Sequence, residues 1–335
     1  MTRKGIIVIA MLLAAVAARA FDFRVAAATG QQVYYSLLNS TTVAVVNPGW
    51  NSYTPPTGFL ALPATVEHDG ITYQVKAIDA QAYRGCDELT GISVPEGVTS
   101  IGRMAFAFCT ALDSIVLPTT LTEIGSTAFT GTAYFGNADR LTPEGLLFIG
   151  PYLVASRPSI DRAIDIPEGT LGLGNMALYS CEHMPQTTLP STLRFIGENA
   201  FGGCSALDTL TMLAEVPPTL ADNSFQGVTP TLVVSVPCGS ADTYQAAAHW
   251  SLLNVTERCD TTGIEPPERT APTALAVEGG LLVTLPEGGQ CSVHDMSGHT
   301  LALLRHTAFV PLTQHGIYLV HFPSTGKTLR VAYLH

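Results

Sequence analysis

Histidine, cysteine and carboxylate side chains set the chemical reach of this chain, so their positions are read first. Six of its nine histidines follow residue 290: His294, His299, His306, His315, His321 and His335. Converging imidazoles in an exported domain could bind zinc or copper. No two of these six are spaced as neighbours on one strand face, and no cysteine or carboxylate motif completes a ligand set. They read as surface histidines, and no metal is expected. The 27 Asp and Glu are scattered, several at corners such as Glu96, Glu123 and Glu168, with no pair marked for acid–base work. GxSxG, HExxH and P-loop patterns are missing from the sequence, and Gly172-Leu173-Gly174 is too short for a dinucleotide fingerprint. The expectation is a non-enzyme without a cofactor.

The seven cysteines are placed by a rhythm. Cys86 and Cys109 are 23 residues apart, and so are Cys181 and Cys204. A small apolar residue recurring at one interval reads as a core ladder of thiols. Stacked strands lie about 4.8 Å apart, within disulfide reach, but side chains in such a ladder run parallel rather than toward one another. Cys238 and Cys259 flank the end of the rhythm and are the disulfide candidates. Cys291 stands apart and reads as buried and unpaired.

That rhythm is a repeat of the whole chain. LTGISVPEGVTSIGRMAFAFCTA from Leu89 rhymes with LDSIVLPTTLTEIGSTAFTGTAY from Leu112, and the pattern returns at Ile164–Cys181 and Met184–Cys204. Self-similarity at this period means a solenoid whose coils share one core. In each coil Ile92/Val94, Ile115/Leu117, Ile164/Ile166 or Leu210/Met212 alternate with small residues, as in a half-buried strand. Pro63, Pro95, Pro118, Pro167, Pro190 and Pro237 end the strands, because proline cannot donate to a ladder. The segment around Ile101–Phe106 suggests a short helical or 3₁₀ turn, with Gly102, Gly125, Gly174 and Gly197 permitting the bend. Ala82, Ala105, Ala128, Ala177 and Ala200 would stack in the core beside a spine of Tyr83, Phe106, Phe129, Phe201 and Phe225. The interval from Pro118 to Pro167 is too long for two coils, and GLLFIGPYLVASRP within it reads as a hairpin. Asp69-Gly70 marks another hairpin.

Arg3 and Lys4, an apolar run from Gly5 to Ala18, and Ala18-Arg19-Ala20 make residues 1–20 a secretory signal peptide. After cleavage no membrane-spanning segment is expected, because no other apolar stretch is long enough. With 16 Lys+Arg against 27 Asp+Glu the formal charge is −11, so nucleic acid is not an expected partner. Residues 21–57 read as an N-terminal β cap, with strands at Val33–Leu37 and Thr42–Val46. The solenoid and its C-terminal cap cover 58–259. There Ser240 would cap a helix, and Trp250, Leu252 and Val255 would close the last coil. The polar, proline-rich 260–273 is a linker. Short strands between turns then make 274–335 a small β-sandwich. The fold class is therefore mostly β with short helical turns.

The repeat VPxxVxxIGxxAFxxC at Val94–Cys109 resembles the BspA-like leucine-rich-repeat family of bacterial surface proteins. The opening FDFRV at Phe21 and VPCGSADTYQAAAHWSLLNVTE at Val236 also look like its secreted members. VHDMSGHTL at Val293 and GIYLV at Gly316 resemble a sorting domain used in type IX secretion. The resemblance implies adhesion or ligand binding at the cell surface, with no fixed site residues to carry over.

Outward strand positions form a column of small side chains: Ala61, Ser93, Val116, Asp165, Thr188 and Thr211. Such a face could take a flat partner through backbone and hydroxyl contacts, though it offers no aromatic anchor. Trp50 and Tyr53 in the loop Asn47–Tyr53, and Tyr134, Phe135 and Tyr152 in the central insertion, could instead stack on a sugar or anchor a protein, or pack over the cap. The expected function is a monomeric, secreted or cell-surface binding module for a host or bacterial protein or glycan. The alternative is a structural passenger whose C-terminal domain serves export or attachment; a hydrolase is the least favoured.

Overall fold

The computed structural model describes residues 21–49, 54–259, 273–277, 280–285, 289–304, 308–312, 316–323 and 327–333. Residues 1–20, expected to be a signal peptide, Trp50, Tyr53, residues 260–272 and the histidines His306, His315 and His335 lie outside them. The chain is a mostly β solenoid of stacked coils with few helical turns.

Strands Phe23–Ala26, Gln32–Leu37 and Thr42–Val45 form an antiparallel meander, and the last pairs in parallel with Ile71–Ile78. Ile71–Ile78 also pairs back on Thr65–His68 across Asp69 and Gly70, at φ +50° and +77°. A two-residue hairpin turn of type I′ needs left-handed residues at both positions, and Asp-Gly supplies them. Phe23 closes the open end of the core, its ring 4.2 Å from that of His68 and 5.4 Å from that of Tyr35.

Each regular coil has two strands. The first strands form parallel sheets: Gly58–Ala61, Leu89–Ser93 and Ser114–Val116 in one, and Ile164–Asp165, Gln186–Leu189, Thr209–Met212, Val233–Pro237 and Asn254–Arg258 in another. The second strands are two residues long and pair in parallel from coil to coil, as Ser100–Ile101 does with Glu123–Ile124 and Gly172–Leu173 does with Phe195–Ile196. They were not legible as strands in the sequence.

Corners between the two strands lock each coil to the next. Glu96 accepts hydrogen bonds from the Thr119 N–H and hydroxyl (2.8 and 3.3 Å), and Glu168 accepts the same pair from Ser191 (2.8 and 3.0 Å). Gly97 and Gly169 donate to Thr120 and Thr192 at 3.0 and 2.9 Å. A Pro-Glu-Gly corner is thus answered by Pro-Thr-Thr or Pro-Ser-Thr one coil later. These carboxylates serve the stack.

The outward turn after the second strand is not a helix, contrary to expectation. It is a string of single turns, such as Ala105 N–H to Gly102 O and Cys109 N–H to Phe106 O. Left-handed residues interrupt it at two places per coil: Met104 and Phe108 (φ +57° and +62°), with counterparts at Gln81, Thr127, Met176 and Asn199 and at Ser180. A continuous helix cannot pass such residues. The glycines also act otherwise than expected. Gly102, Gly125 and Gly197 are not left-handed; a Cβ on any of them would meet the previous coil's backbone or Asn175 at 2.3–2.4 Å. Their role is close approach rather than bending.

Inside, the rings of Tyr83, Phe106 and Phe129 stack at 5.5 and 5.4 Å, and those of Phe201 and Phe225 at 5.1 Å. Cys86, Cys109, Cys181, Cys204 and Cys291 are buried and carry no disulfide. Cys109 donates to Tyr83 O at 2.9 Å and Cys204 to Leu178 O at 3.1 Å. The hydrogen bond shared with the neighbouring cysteine, together with burial, pushes the Cys109 and Cys204 thiols up.

The fourth coil departs from the rest. It holds a short helix, Ala133–Gly136, and an antiparallel hairpin, Leu146–Ile149 with Tyr152–Ser156. The hairpin packs into the core, where Tyr152 is fully buried and donates to Pro118 O at 2.8 Å. Tyr134 is buried as well and donates to Phe148 O.

At the C-terminal end the helix Ala241–Ala246 follows Ser240, whose side chain makes no capping bond. Trp250 is buried with its indole N–H on Pro218 O at 2.7 Å, and Tyr244 donates to Ala214 O at 2.8 Å. Leu252 does not close the coil; it is 81% exposed. Cys238 and Cys259 form a disulfide across the paired strands Val233–Pro237 and Asn254–Arg258, with Cα atoms 4.8 Å apart.

Beyond residue 272 the strands make two antiparallel sheets. One contains Thr273–Val277, Gly280–Thr284 and Ala308–Pro311; the other contains Cys291–His294, Thr300–Leu304, Gly316–Phe322 and Lys327–Tyr333. Leu281, Val283 and Val310 from the first share a buried cluster with Val293, Val320 and Phe322 from the second.

Candidate binding surface

Parallel pairing without offset carries one residue of each first strand into a column. Ala61 lies opposite Ser93, and Ser93 opposite Val116; Asp165 lies opposite Thr188, Thr188 opposite Thr211. Ser93, Thr188 and Thr211 are half-buried and Asp165 is exposed. The column is interrupted between Val116 and Asp165, because the fourth coil places no strand in either sheet.

Sequence reasoning stopped the column too early. Thr211 is followed in register by Ser235 and then Thr256, so three hydroxyls end the row. The proline at 237 already carried that signal, since a strand must precede it. An aromatic was also missed. Phe59 is 47% exposed and lies two residues before Ala61, so it faces outward in the same strand. Gly91 sits opposite it, and a Cβ there would fall 2.5 Å from the Phe59 ring. Glycine at that position lets the ring lie across the neighbouring strand. The expectation of a face without an aromatic anchor is thereby corrected.

The other expected anchors fare differently. Tyr134 and Tyr152 are spent in the core, as described above. The exposed aromatics of the outward turns are Phe108 and Tyr179, each 44% exposed. Both stand at turn positions that the repeat leaves variable, and the Arg84 guanidinium lies 5.4 Å over the Phe108 ring.

Histidines of the C-terminal sheets bond to hydroxyls and a carboxylate. His294 meets Ser292 at 2.7 Å and Thr300 at 3.1 Å, His321 meets Thr328 at 2.9 Å, and His299 lies 3.4 Å from Asp295. Hydrogen bonds from Ser297 hold the Asp295 carboxyl below the usual range. Among the described residues, Cys238, Glu257 and Cys259 are close enough to share a metal, but the two sulfurs are joined to each other. No described helix is long and apolar enough to cross a membrane.

No curated protein matches the chain. Solved structures with similarity include a T. pallidum leucine-rich repeat protein, at 24% identity over 53% of this chain and 68% of that one (TM-score 0.30). A leucine-rich repeat protein from Bacteroides ovatus ATCC 8483 is 16% identical over 68% of this chain and 98% of its own (0.26). A leucine rich cell surface protein from Faecalibacterium prausnitzii A2-165 is 14% identical over 72% and 96% (0.24). The BspA type leucine-rich repeat matches six copies, over residues 76–207 and 148–247. Spanning half the chain and agreeing with the observed coils, those copies make this protein a member of the BspA type leucine-rich repeat family.

Proposed function

We propose that this chain is an exported, non-enzymatic binding protein that holds a protein or glycan ligand at the cell surface. The observation that carries the reading is the outward face of the first strands. Its hydroxyls stand in register, Asp165 adds one charge, and Phe59 supplies an exposed ring at the N-terminal end. A parallel sheet that leaves small polar residues outward can approach a flat partner closely, and a ring at its margin can act as the anchor. The cell-surface location is supported by the signal-like residues 1–20. Trp50 and Tyr53 would widen the contact surface if they line the same end. In this reading the C-terminal sheets serve export or attachment.

The test is the exported chain, residues 21–335, applied to glycan and extracellular-matrix protein arrays. Saturable binding should appear and should weaken at least tenfold in Phe59→Ala or in Thr188→Arg/Thr211→Arg. A further loss in Trp50→Ala/Tyr53→Ala would bring the loop into the site. Binding to no class of ligand, or binding indifferent to all of these changes, would refute the reading.

A further inference from the structure

The outward turns of neighbouring coils are joined by a main-chain ladder, and among the described residues one junction lacks all three of its rungs. Gln81, Tyr83 and Gly85 donate to Arg103, Ala105 and Ala107 of the next coil at 3.0, 2.8 and 2.8 Å. Met104, Phe106 and Phe108 donate to Ser126, Ala128 and Thr130 at 3.2, 2.8 and 2.7 Å. Beyond the fourth coil, Met176, Leu178 and Ser180 donate to Glu198, Ala200 and Gly202 at 2.9, 2.8 and 2.8 Å. The next donors in the series are Thr127, Phe129 and Gly131, and among the described residues their N–H groups meet no acceptor. The matching carbonyls of Asn175, Ala177 and Tyr179 receive no donor among the described residues.

The path of the fourth coil explains the break. A regular coil leaves its second strand at Leu173, makes an outward turn through residues 174–180, and returns at Cys181. The fourth coil instead runs straight on from Leu153 through Val154 and Ala155 to Ser156, whose hydroxyl lies 3.3 Å from Cys181 Sγ. One outward turn is therefore missing from the stack. A cleft of about 210 Å³ stands in its place, between Thr127–Thr130 and Asn175–Tyr179, with Phe135, Val154 and Ala155 as an apolar floor. One end is closed where Asn175 N–H meets Ile124 O at 2.8 Å. By contrast, the start of the solenoid has a side-chain cap: Asn47 reaches the Ala82 carbonyl at 3.5 Å.

We propose that this cleft is a docking slot for a short extended or looped segment of another polypeptide. Donors stand on one wall and acceptors on the other, each at alternate residues. A polypeptide main chain offers both complements at that alternation, as in strand addition to an open sheet edge. Its carbonyls would accept from Thr127 and Phe129, and its N–H groups would donate to Asn175 and Tyr179, the members of the two series that line the cleft. A small apolar side chain would rest on Val154 and Ala155. The half-exposed ring of Tyr179 would cover it. The slot lies on the outward turns and does not depend on what the first-strand column binds.

The experiment pans random heptapeptides on phage against residues 21–335, then measures a recovered, fluorescently tagged peptide by anisotropy. Ala155→Trp, which fills the floor, should weaken binding at least tenfold. N-methylation of alternate peptide amides should do the same in one register and not in the other. Thr188→Arg/Thr211→Arg should leave the peptide's affinity within twofold, which separates this site from the column. Tyr179→Ala, a surface change that does not threaten folding, should weaken binding at least threefold and serves if Ala155→Trp melts early. No peptide enriched over an unrelated target, equal binding by both variants, indifference to N-methylation, or binding of oligosaccharides in place of peptides would each overturn the proposal.

Discussion

Two glycines at the same place in the repeat should respond oppositely to the same substitution. Gly125 and Gly174 each open an outward turn. A Cβ at Gly125 would lie 2.4, 2.6 and 2.9 Å from Arg103 N, Gly102 C and Arg103 Cα, all main-chain atoms that cannot rotate aside. Restoring ordinary contact means moving the coils apart by about 1 Å, against the 2.7 Å bond from Gly125 N–H to Ile101 O. Overpacking of this kind costs ~1–3 kcal/mol. Loss of the hydrogen bond adds ~1 kcal/mol. Alanine returns ~0.5 kcal/mol by restricting the unfolded chain. The net for Gly125→Ala is a loss of about 1.5–3.5 kcal/mol, or roughly 3–14 °C in Tm for a body of this size. Gly174 follows the fourth coil, which has no outward turn, and its nearest neighbours would be Ile124 Cβ at 3.4 Å and Leu153 O at 3.5 Å. Gly174→Ala should therefore be neutral or slightly stabilising, by ~0–1 kcal/mol. Far-UV circular dichroism melts of both variants decide the matter. Equal losses, or a Gly125→Ala melt within about 2 °C of the parent, would refute the reasoning.

Phe106 is fully buried between the rings of Tyr83 and Phe129, so Phe106→Ala should cost ~3–5 kcal/mol, read from denaturant midpoints. Removing the disulfide as Cys238→Ser/Cys259→Ser opens a loop with a sequence separation of 21 and should cost ~3 kcal/mol, with the parent falling to the same midpoint under reductant. Burial raises the hydroxyl pKa of Tyr35, Tyr152 and Tyr244 above the ordinary value of 10.0. A pKa raised by folding means stability that is intact below pH 10 and lost as pH climbs beyond it. Ultraviolet titration should show tyrosines that ionise only together with alkaline unfolding; simple titration of every tyrosine near 10 in a folded protein would contradict this.

The coil was legible because it repeats: alanine, aromatic and cysteine at fixed intervals admit one explanation, a shared interior. Prolines located the first strands. The second strands were illegible because Ser100–Ile101 and its relatives are too short to show alternation. The outward turns were misread as helical because apolar spacing does not report backbone sign, and Met104 and Phe108 are left-handed without being glycine. The outward face of the first strands was half legible. Register carried Ser93, Thr188 and Thr211 into a row, but the reading followed one position per strand and so passed over Phe59 two residues away. The cleft could not be read, since it consists of main-chain groups left over by a turn that the fourth coil omits.

That omission also divides the interior of the solenoid. Residues from Phe23 to Tyr152, with Phe195, gather in one buried cluster, and residues from Leu146 to Trp250 in another. Cooperativity in a stacked protein passes from neighbour to neighbour, so a weak junction sets where it stops. The two halves are joined at the hairpin, and under strain each can melt as its own unit. Under load such a stack would yield in stages, one half opening while the other stays folded.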